Sequence, residues 1–202
     1  MNPHFNYLTL SIFEKCSFDE FTSMIEKDES ISADLRKGII NIYKKDYFNI
    51  ENYFNPMYGS RLPQSFTLWN SKYYPQTTFL TANIDDGFLK MCQSFQKKMH
   101  CPFTRINLSN KNYPPESMYW FQHIKPSGEE RLVYANKEDR WIFYEEGKPL
   151  PFENEAYYKR RIIKERLNYD IIVEYLSKMG INLLDIDEGV TNCMTFERTA
   201  WE

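Results

Sequence analysis

The sequence predicts an α+β fold, with a single domain over residues 1–202. Three strand-like runs, SMYWFQHI, RLVYA and RWIFY, follow one another between Ser117 and Gly147. The connections KPSG and NKED contain residues that favour turns, so the three runs predict a central meander. Amphipathic segments on both sides of the meander predict helices. Together these patterns predict a mixed or mainly antiparallel sheet of about five to seven strands, covered mostly on one face by about four or five helices.

The composition is that of a slightly acidic globular protein. Hydrophobic residues make up 42% and charged residues 26% of the 202 residues, so the chain can bury a core. A net charge of −3 argues against a general nucleic-acid-binding protein, which would present a basic surface. Aromatic residues reach 17%, and rings in such number belong either in a core or at an interface.

The four cysteines indicate a reduced, cytoplasmic setting. They are scattered and include no C-x-x-C pair, so neither a disulfide framework nor a zinc site is expected. Buried, reduced thiols are the simplest interpretation. The start MNPHFNYLTLSIFEK lacks the basic region and cleavage site of a signal peptide, and no run approaches about eighteen apolar residues. We therefore expect a cytoplasmic protein with no membrane span, no metal and no cofactor.

Strand patterns also occur outside the meander. Apolar, aromatic and β-branched residues predict strands at residues 5–13, 77–82 and 104–109, and one or two more after residue 182. In the run TRINLS, Ile106 and Leu108 share one face of the predicted strand.

Helix signals are strongest in the first half of the chain at a capping box. Ser17 and Glu20 have the required spacing, and Cys16 and Phe21 are placed as a hydrophobic staple. Apolar residues at helical spacing predict a second helix over residues 32–43.

Three further helices are predicted later in the chain. One follows a cap at Asn83 or Asp85, and one spans residues 157–166. The last begins at the cap Asn168 and ends at Gly180, where a Schellman motif needs positive φ.

Residues 47–76 form an aromatic-rich, irregular connection in this prediction. Nine aromatic residues occur between Tyr47 and Tyr74, together with proline and glycine and without periodicity. The rings either fold back as a lid over the core or form an exposed interface. For the interface, the candidate partner-binding residues are Tyr53, Tyr58, Trp69, Tyr73 and Tyr74.

Candidate catalytic residues are few. The chain has no glycine-rich phosphate loop, no G-x-S-x-G and no H-E-x-x-H. The histidines are His4, His100 and His123, of which the last falls within a predicted strand. Asp185 and Asp187 would share one face of an edge strand, as an acid–base or metal-binding pair or simply as a charged solvent face. A small hydrolase or transferase that uses Asp185, Asp187 or His123 is therefore an alternative function.

The segment from Lys159 to Arg166 concentrates positive charge, whereas the chain after residue 182 is acidic. Because the basic residues are spread around the predicted helix, a solvated face with local ion pairs is the favoured interpretation. Lys159, Arg160 and Arg161 are candidate contacts for a charged partner, and RNA binding is a further alternative.

Several runs in the second half resemble a pattern in small uncharacterised bacterial proteins. They are RWIFYEEG from Arg140, LPFE from Leu150, YYKRR from Tyr157 and YLSKMG from Tyr175. Some of those proteins resemble immunity proteins of contact-dependent or polymorphic toxin systems, and the likeness spans residues 77–181. The resemblance implies a protein-binding role and supplies no site residues.

The leading functional prediction is a cytoplasmic protein-binding module, and the resemblance implies a toxin-neutralising immunity protein. Such a protein would occlude the surface of a toxin domain, with no chemistry of its own. The prediction rests on the missing catalytic motifs, the acidic balance and the aromatic excess. A deep pocket that converges on ionisable residues, with residues 47–76 packed as core, would argue against it.

Overall fold

The computed structural model describes residues 7–59, 61–110 and 117–201, which form nine strands and four α-helices. The strands are β1 (Tyr7–Glu14), β2 (Ile40–Lys45), β3 (Gln64–Ser71), β4 (Thr77–Ala82), β5 (Phe103–Ser109), β6 (Met118–Ile124), β7 (Glu130–Lys137), β8 (Trp141–Glu146) and β9 (Val190–Arg198). The helices are α1 (Phe18–Glu26), α2 (Glu29–Arg36), α3 (Leu89–Met99) and α4 (Tyr169–Lys178). Short 3-10 turns occupy Ile50–Tyr53 and Ile163–Glu165.

All nine strands join one antiparallel sheet, in the order β2-β9-β3-β4-β1-β5-β6-β7-β8. The predicted sheet of five to seven strands is therefore wrong, because neither β2 nor β3 carries a pattern that we read as a strand. The predicted meander is present as β6, β7 and β8. It lies at one edge of the sheet rather than at its centre.

Each face of the sheet carries its own core. On the first face, Leu8, Leu10 and Ile12 of β1 pack with α4 and with the chain between residues 150 and 186. On the second face, Phe13 packs with α1 and α3. Helices thus lie on both faces, whereas the sequence predicts cover mostly on one.

The two faces differ in how completely they are covered. On the second face, α1 contacts β3 and β4, and α3 shares the core of that face. Further along the same face, Trp120, Tyr134 and Tyr144 of the meander remain partly exposed. The second face is therefore sealed over one half of the sheet and accessible over the other.

Two helix signals in the sequence are confirmed. Ser17 accepts from the N–H of Glu20 at 3.4 Å, and the Glu20 carboxylate accepts from the N–H of Ser17 at 3.2 Å, which is the predicted capping box at α1. The predicted cap Asn168 begins α4, and α4 ends in the predicted Schellman motif at Gly180, where φ is +82°.

The predicted helix over residues 32–43 is wrong. The helix α2 spans Glu29–Arg36 and ends at Gly38, where φ is +71°. The N–H of Ile39 then donates to the carbonyl of Asp34 at 2.9 Å, which completes a second Schellman motif. The chain reverses at this glycine and continues as β2, which pairs with β9.

The predicted helix over residues 157–166 is also wrong, because this segment forms turns and the short 3-10 turn Ile163–Glu165. Glu153 and Asn154, which precede this segment and have side chains suited to a helix cap, do not cap a helix. Glu153 is instead buried within the first face, and Asn154 accepts from the N–H of Ala156 at 3.1 Å in a local turn.

A buried ion pair holds the chain where it leaves β8. Arg131 of β7 is 2% exposed, and its Nε and Nη2 donate to Glu153 at 3.1 and 2.8 Å. Its Nη2 also donates to Glu145 at 2.7 Å, and the Tyr158 hydroxyl donates to Glu153 at 2.5 Å. Burial acts to lower the pKa of the Arg131 guanidinium, but the hydrogen bonds to Glu153 and Glu145 outweigh it and raise the pKa. The carboxylates of Glu153 and Glu145 therefore compensate the positive charge of Arg131.

We expect Arg131→Met or Glu153→Leu alone to lower the free energy of unfolding by about 3–5 kcal/mol, because the first leaves Glu153 unpaired in the core and the second leaves Arg131 with only the partly exposed Glu145. The double substitution removes both charges together. It should cost clearly less than the sum of the two single substitutions in a double-mutant cycle measured by urea unfolding. Additive costs would show that the ion pair does not couple the two positions.

Candidate functional site

A cavity of about 890 Å³ opens on the accessible half of the second face. It lies between the sheet, the turn that precedes α3 and the loop that carries Tyr58. Its walls combine ionisable, amide and aromatic side chains, namely Tyr7, Tyr58, Asp85, Asp86, Leu89, Arg105, Asn107, Ser117, Met118, Trp120, Asn136, Lys137, Glu138 and Asp139.

Strand register determines the floor of this cavity. Arg105 and Asn107 of β5 are two residues apart, so their side chains share the second face. The register places Asn107 beside Trp120 of β6 and Arg105 beside Gln122. Since β5 lies between β1 and β6 inside the sheet, these polar side chains cannot turn outwards to an edge.

Arg105 is the central group of the floor. It is 3% exposed, and its one hydrogen bond to a described residue runs from Nε to Oδ1 of Asn107 at 3.1 Å. Across residues 7–59, 61–110 and 117–201 it forms no ion pair. Burial lowers the pKa of the Arg105 guanidinium, although neighbouring groups that include Asp85 and Asp86 act in the opposite direction. Arg105 is thus a desolvated cation whose Nη groups have spare donors.

Asn107 and Tyr7 orient this guanidinium. While Oδ1 of Asn107 accepts from Arg105, its Nδ2 donates to the Tyr7 hydroxyl at 2.5 Å. The Tyr7 hydroxyl in turn donates to Sδ of Met118 at 3.3 Å. Burial raises the pKa of Tyr7 to about 12, so the phenol stays neutral near pH 7. This chain of hydrogen bonds fixes the Nε edge of the Arg105 guanidinium.

The roof of the cavity is the turn that leads into α3. Thr9 donates to the backbone carbonyl of Asp85 at 3.2 Å. Gly87 has a φ of +54°, and a Cβ at this position would overlap the Thr9 side chain and lie 3.7 Å from Nη2 of Arg105. Glycine therefore permits the close approach of this turn to the sheet. The turn brings the carboxylates of Asp85 and Asp86 to the rim above Arg105.

Two polar atoms in the cavity wall are buried without a partner in the described part of the chain. They are the indole N–H of Trp120 and the side-chain carbonyl of Asn136. The amide group of Asn136 is used, since it donates to Glu138 at 3.2 Å. Leaving a buried donor or acceptor unpaired costs about 1–3 kcal/mol.

Charge in the cavity is unevenly distributed. Arg105 lies on the floor, whereas Lys137 shares the rim with four carboxylates, those of Asp85, Asp86, Glu138 and Asp139. A solute with one negative group can reach the guanidinium, but a polyanion would be repelled by the rim.

A smaller cavity of about 310 Å³ lies between α2, α3 and the edge of the sheet. Its arginine, Arg198, is already paired with Asp34. The cavity over Arg105 is therefore the stronger candidate for a binding site.

Three of the five aromatic residues predicted as partner contacts are used inside the protein. Trp69 of β3 is fully buried, and its Nε1 donates to a backbone carbonyl at 2.8 Å. The hydroxyl of Tyr53 hydrogen-bonds Thr67, and that of Tyr74 donates to Asp185 at 2.6 Å. A partner-contact role for Trp69 is therefore wrong, and the hydroxyls of Tyr53 and Tyr74 serve internal bonds.

The aromatic-rich connection is in large part core. The strand β3 lies within residues 47–76 and is buried along its whole length, and Phe48 stacks on Trp69 with ring centroids 4.1 Å apart. Tyr58 and Tyr73 differ from the other candidates, because they are 73% and 53% exposed. Of these two, Tyr58 borders the cavity.

The predicted acidic pair is structural. Asp185 and Asp187 lie in the turns between α4 and β9, and not on a strand. Asp185 accepts from Tyr74 at 2.6 Å, and Asp187 accepts from the N–H of Ile50 at 3.3 Å. Both carboxylates thus hold loops that flank β3.

His123, the candidate catalytic histidine, lies on β6 and not in the turns that carry Asp185 and Asp187. Nδ1 of His123 on β6 is 2.9 Å from the hydroxyl of Thr104. Burial, assisted by the charge of Lys125, lowers the pKa of His123. Among the described residues, His123 shares no hydrogen-bond partner with Asp185 or Asp187, and His4 lies outside those residues.

The three basic residues predicted as partner contacts lie in turns. The Arg160 guanidinium sits over the ring of Tyr157, 4.3 Å from its centroid, and donates to the carbonyl of Glu165 at 2.9 Å. Lys159 and Arg161 are exposed. Arg160 thus has a local structural role, and only the other two face solvent.

Sequence reasoning did not identify the residues of the cavity floor. The signal was present in TRINLS, because a strand that places Ile106 and Leu108 on one face places Arg105 and Asn107 on the other. Nothing local showed that this strand lies inside the sheet. The polar face of an edge strand would simply face water.

Other candidate sites are limited. No group of three or more His, Cys, Asp and Glu side chains in the described ranges could hold a metal ion. The four cysteines are buried, as predicted. Among the helices of the described chain, none has the length and apolar character needed to cross a membrane.

Comparison of the chain with protein-family models, with curated proteins and with solved structures found no match. The resemblance to immunity proteins therefore stays a prediction.

We expect Arg105→Met to change the free energy of unfolding by less than about 1 kcal/mol, or to raise it. The reason is that burial of a cation without an ion pair opposes folding. Urea unfolding beside Arg131→Met, which should cost about 3–5 kcal/mol, measures the contrast. Equal costs at the two positions would identify Arg105 as a structural residue and remove the basis for a binding site.

We expect His123 to make stability depend on pH. Because its pKa is lowered in the folded protein, the unfolded chain binds the proton more readily, and stability is lost as the pH falls below the ordinary value of 6.5. The stability difference between the wild type and His123→Gln should therefore shrink from pH 7.5 to pH 5.5. The exposed His100→Asn is the control, and a pH-independent difference for His123→Gln would contradict the expectation.

Proposed function

We propose that the protein is a binding protein that takes a small solute with a single carboxylate group into the cavity above Arg105. The observation that carries the proposal is the state of Arg105, a buried guanidinium with one hydrogen bond to Asn107 and no ion pair among the described residues. Buried charges in proteins are normally paired, and unpaired ones cluster at functional sites.

The chemistry of the guanidinium favours a carboxylate. Its planar fork of N–H donors matches the two oxygens of a carboxylate in a bidentate pair. The bond from Nε to Asn107 leaves the Nη donors for this purpose. The carboxylates of Asp85 and Asp86 at the rim disfavour solutes with several negative charges.

The contrast with Arg131 supports the same conclusion. Both arginines are almost fully buried within the sheet, yet Arg131 has Glu153 and Glu145 as partners. The chain therefore supplies carboxylates where an arginine is structural. At Arg105 the carboxylates of Asp85 and Asp86 act only through their charge and form no ion pair, so a ligand can supply the pairing carboxylate.

Two observations argue against the protein-binding function predicted from the sequence. Much of residues 47–76 packs as core, and a large cavity converges on ionisable groups. An immunity role would now have to rest on the resemblance and on the exposed Tyr58, Tyr73, Lys159 and Arg161. The predicted cytoplasmic location belongs to the present proposal, and the four buried thiols favour it.

The proposal can be tested with 2-naphthoate and its neutral isostere 2-naphthamide, titrated into the protein by isothermal calorimetry. We expect the wild type to prefer the acid, and Arg105→Gln to weaken binding of the acid by about tenfold or more, because a charge-assisted bond is lost. Binding of the amide should change little.

Arg161→Gln is the matched control, since Arg161 is exposed and distant from the cavity lining. It should leave both titrations unchanged. If the wild type binds neither acid nor amide, or binds them equally, the proposal is wrong regardless of how the variants fold.

A further inference from the structure

A ladder of three aromatic rings crosses the meander on the second face. The rings of Trp120 and Tyr134 are stacked with centroids 5.1 Å apart and planes 8° apart. Those of Tyr134 and Tyr144 follow at 5.3 Å and 25°. The register pairs these residues directly across β6, β7 and β8. The rings therefore stand up from the sheet, each facing the next.

The ladder stops at β5, where the same row continues with Asn107 and then Thr9 of β1. In the described chain no ring or cation stacks on the side of Trp120 that faces β5. Neighbouring strands are about 4.8 Å apart, which is close to the ring spacing in the ladder. A ring that stacked on this side of Trp120 would lie above Asn107 and continue the ladder.

The position above Asn107 lies within the proposed binding cavity, which both Trp120 and Asn107 line. Arg105 is two residues from Asn107 on the same face, and its Nε is 3.1 Å from Oδ1 of Asn107. A ring above Asn107 would therefore carry its substituent towards the guanidinium. The unpartnered N–H of Trp120 adds a polar group to the same wall.

We infer that the ligand is a planar aromatic carboxylate, whose ring stacks on the face of Trp120 above Asn107 while its carboxylate pairs with Arg105. The inference rests on the proposed function and adds the chemical class of the ligand to it. Offset-stacked aromatic pairs bind more favourably than their contact area alone implies. Planarity, and not only apolar area, should then determine affinity.

The charges beside the ladder argue against a nucleic acid as the stacked partner. Glu130 and Glu146 flank the rings on the same face, where Glu130 accepts from Gln122 and Glu146 accepts from Tyr144. A phosphate backbone would be repelled there, because nucleic-acid binding depends on cationic contacts. A small monoanion that enters the cavity can instead contact the guanidinium of Arg105 on its floor.

Two acids of the same connectivity test the inference, planar 2-naphthoate and its saturated analogue decahydro-2-naphthoate. We expect the wild type to bind the planar acid about three to ten times more tightly, although the saturated acid is the more apolar of the two. General hydrophobic binding predicts the opposite order. The comparison needs no variant, so it stands even if a substitution impairs folding.

Variants then locate the contact. Trp120→Leu should abolish the preference for the planar acid, Trp120→Phe should retain part of it, and Trp201→Leu at an exposed tryptophan should retain all of it. Equal affinities of the wild type for the two acids, or a preference that survives Trp120→Leu, would overturn the inference. If the two acids bind equally but both bind more tightly than 2-naphthamide, only the inference of an aromatic ligand is wrong and the proposed function stands. If neither acid binds more tightly than 2-naphthamide, the inference and the proposed function are both wrong.

Discussion

The path of the chain after β8 depends on the buried ion pair between Arg131 and Glu153. The strand β8 ends at one edge of the sheet, yet β9 lies near the other edge, between β2 and β3. The intervening residues cross the first face, where they bring α4 onto β5 and β6. Glu153 fastens the start of this crossing to β7, and Trp69 fastens its end by donating to the carbonyl of Ile186. The crossing seals one face of the sheet.

The second face is closed by different means and only in part. In the chain α1 follows β1 and α3 follows β4. Together the two helices cover β1, β3 and β4. The connections within the meander are short turns, so they contribute no element to cover β6, β7 and β8. The cavity lies where the covered half meets the accessible half. Its position is a consequence of topology, because an interior strand, β5, carries polar side chains under the boundary.

The two buried arginines differ in whether the chain provides an ion-pair partner for them. Arg131 is neutralised by carboxylates that the chain itself provides, and its hydrogen bonds contribute to stability. Arg105 is held in position by Asn107 and Tyr7 but forms no ion pair in the described chain. Natural proteins tolerate unfavourable local arrangements of this kind mainly at functional sites, and the rest of the fold offsets them.

Features that depend on neighbouring residues can be predicted from the sequence alone. The capping box at Ser17, the Schellman ending at Gly180 and the strands of the meander were predicted and are present, because caps, turns and alternation act over a few residues. Gly38 is a comparable stop signal, and it ends α2 although apolar residues continue at helical spacing beyond it. The tertiary structure decided which strands lie inside the sheet, and with that the burial of Trp69 and the isolation of Arg105. The burial of Trp69 and the position of Arg105 depend on pairings between distant strands. The sequence TRINLS therefore gives the same prediction whether its polar face lies against water or forms the floor of a cavity.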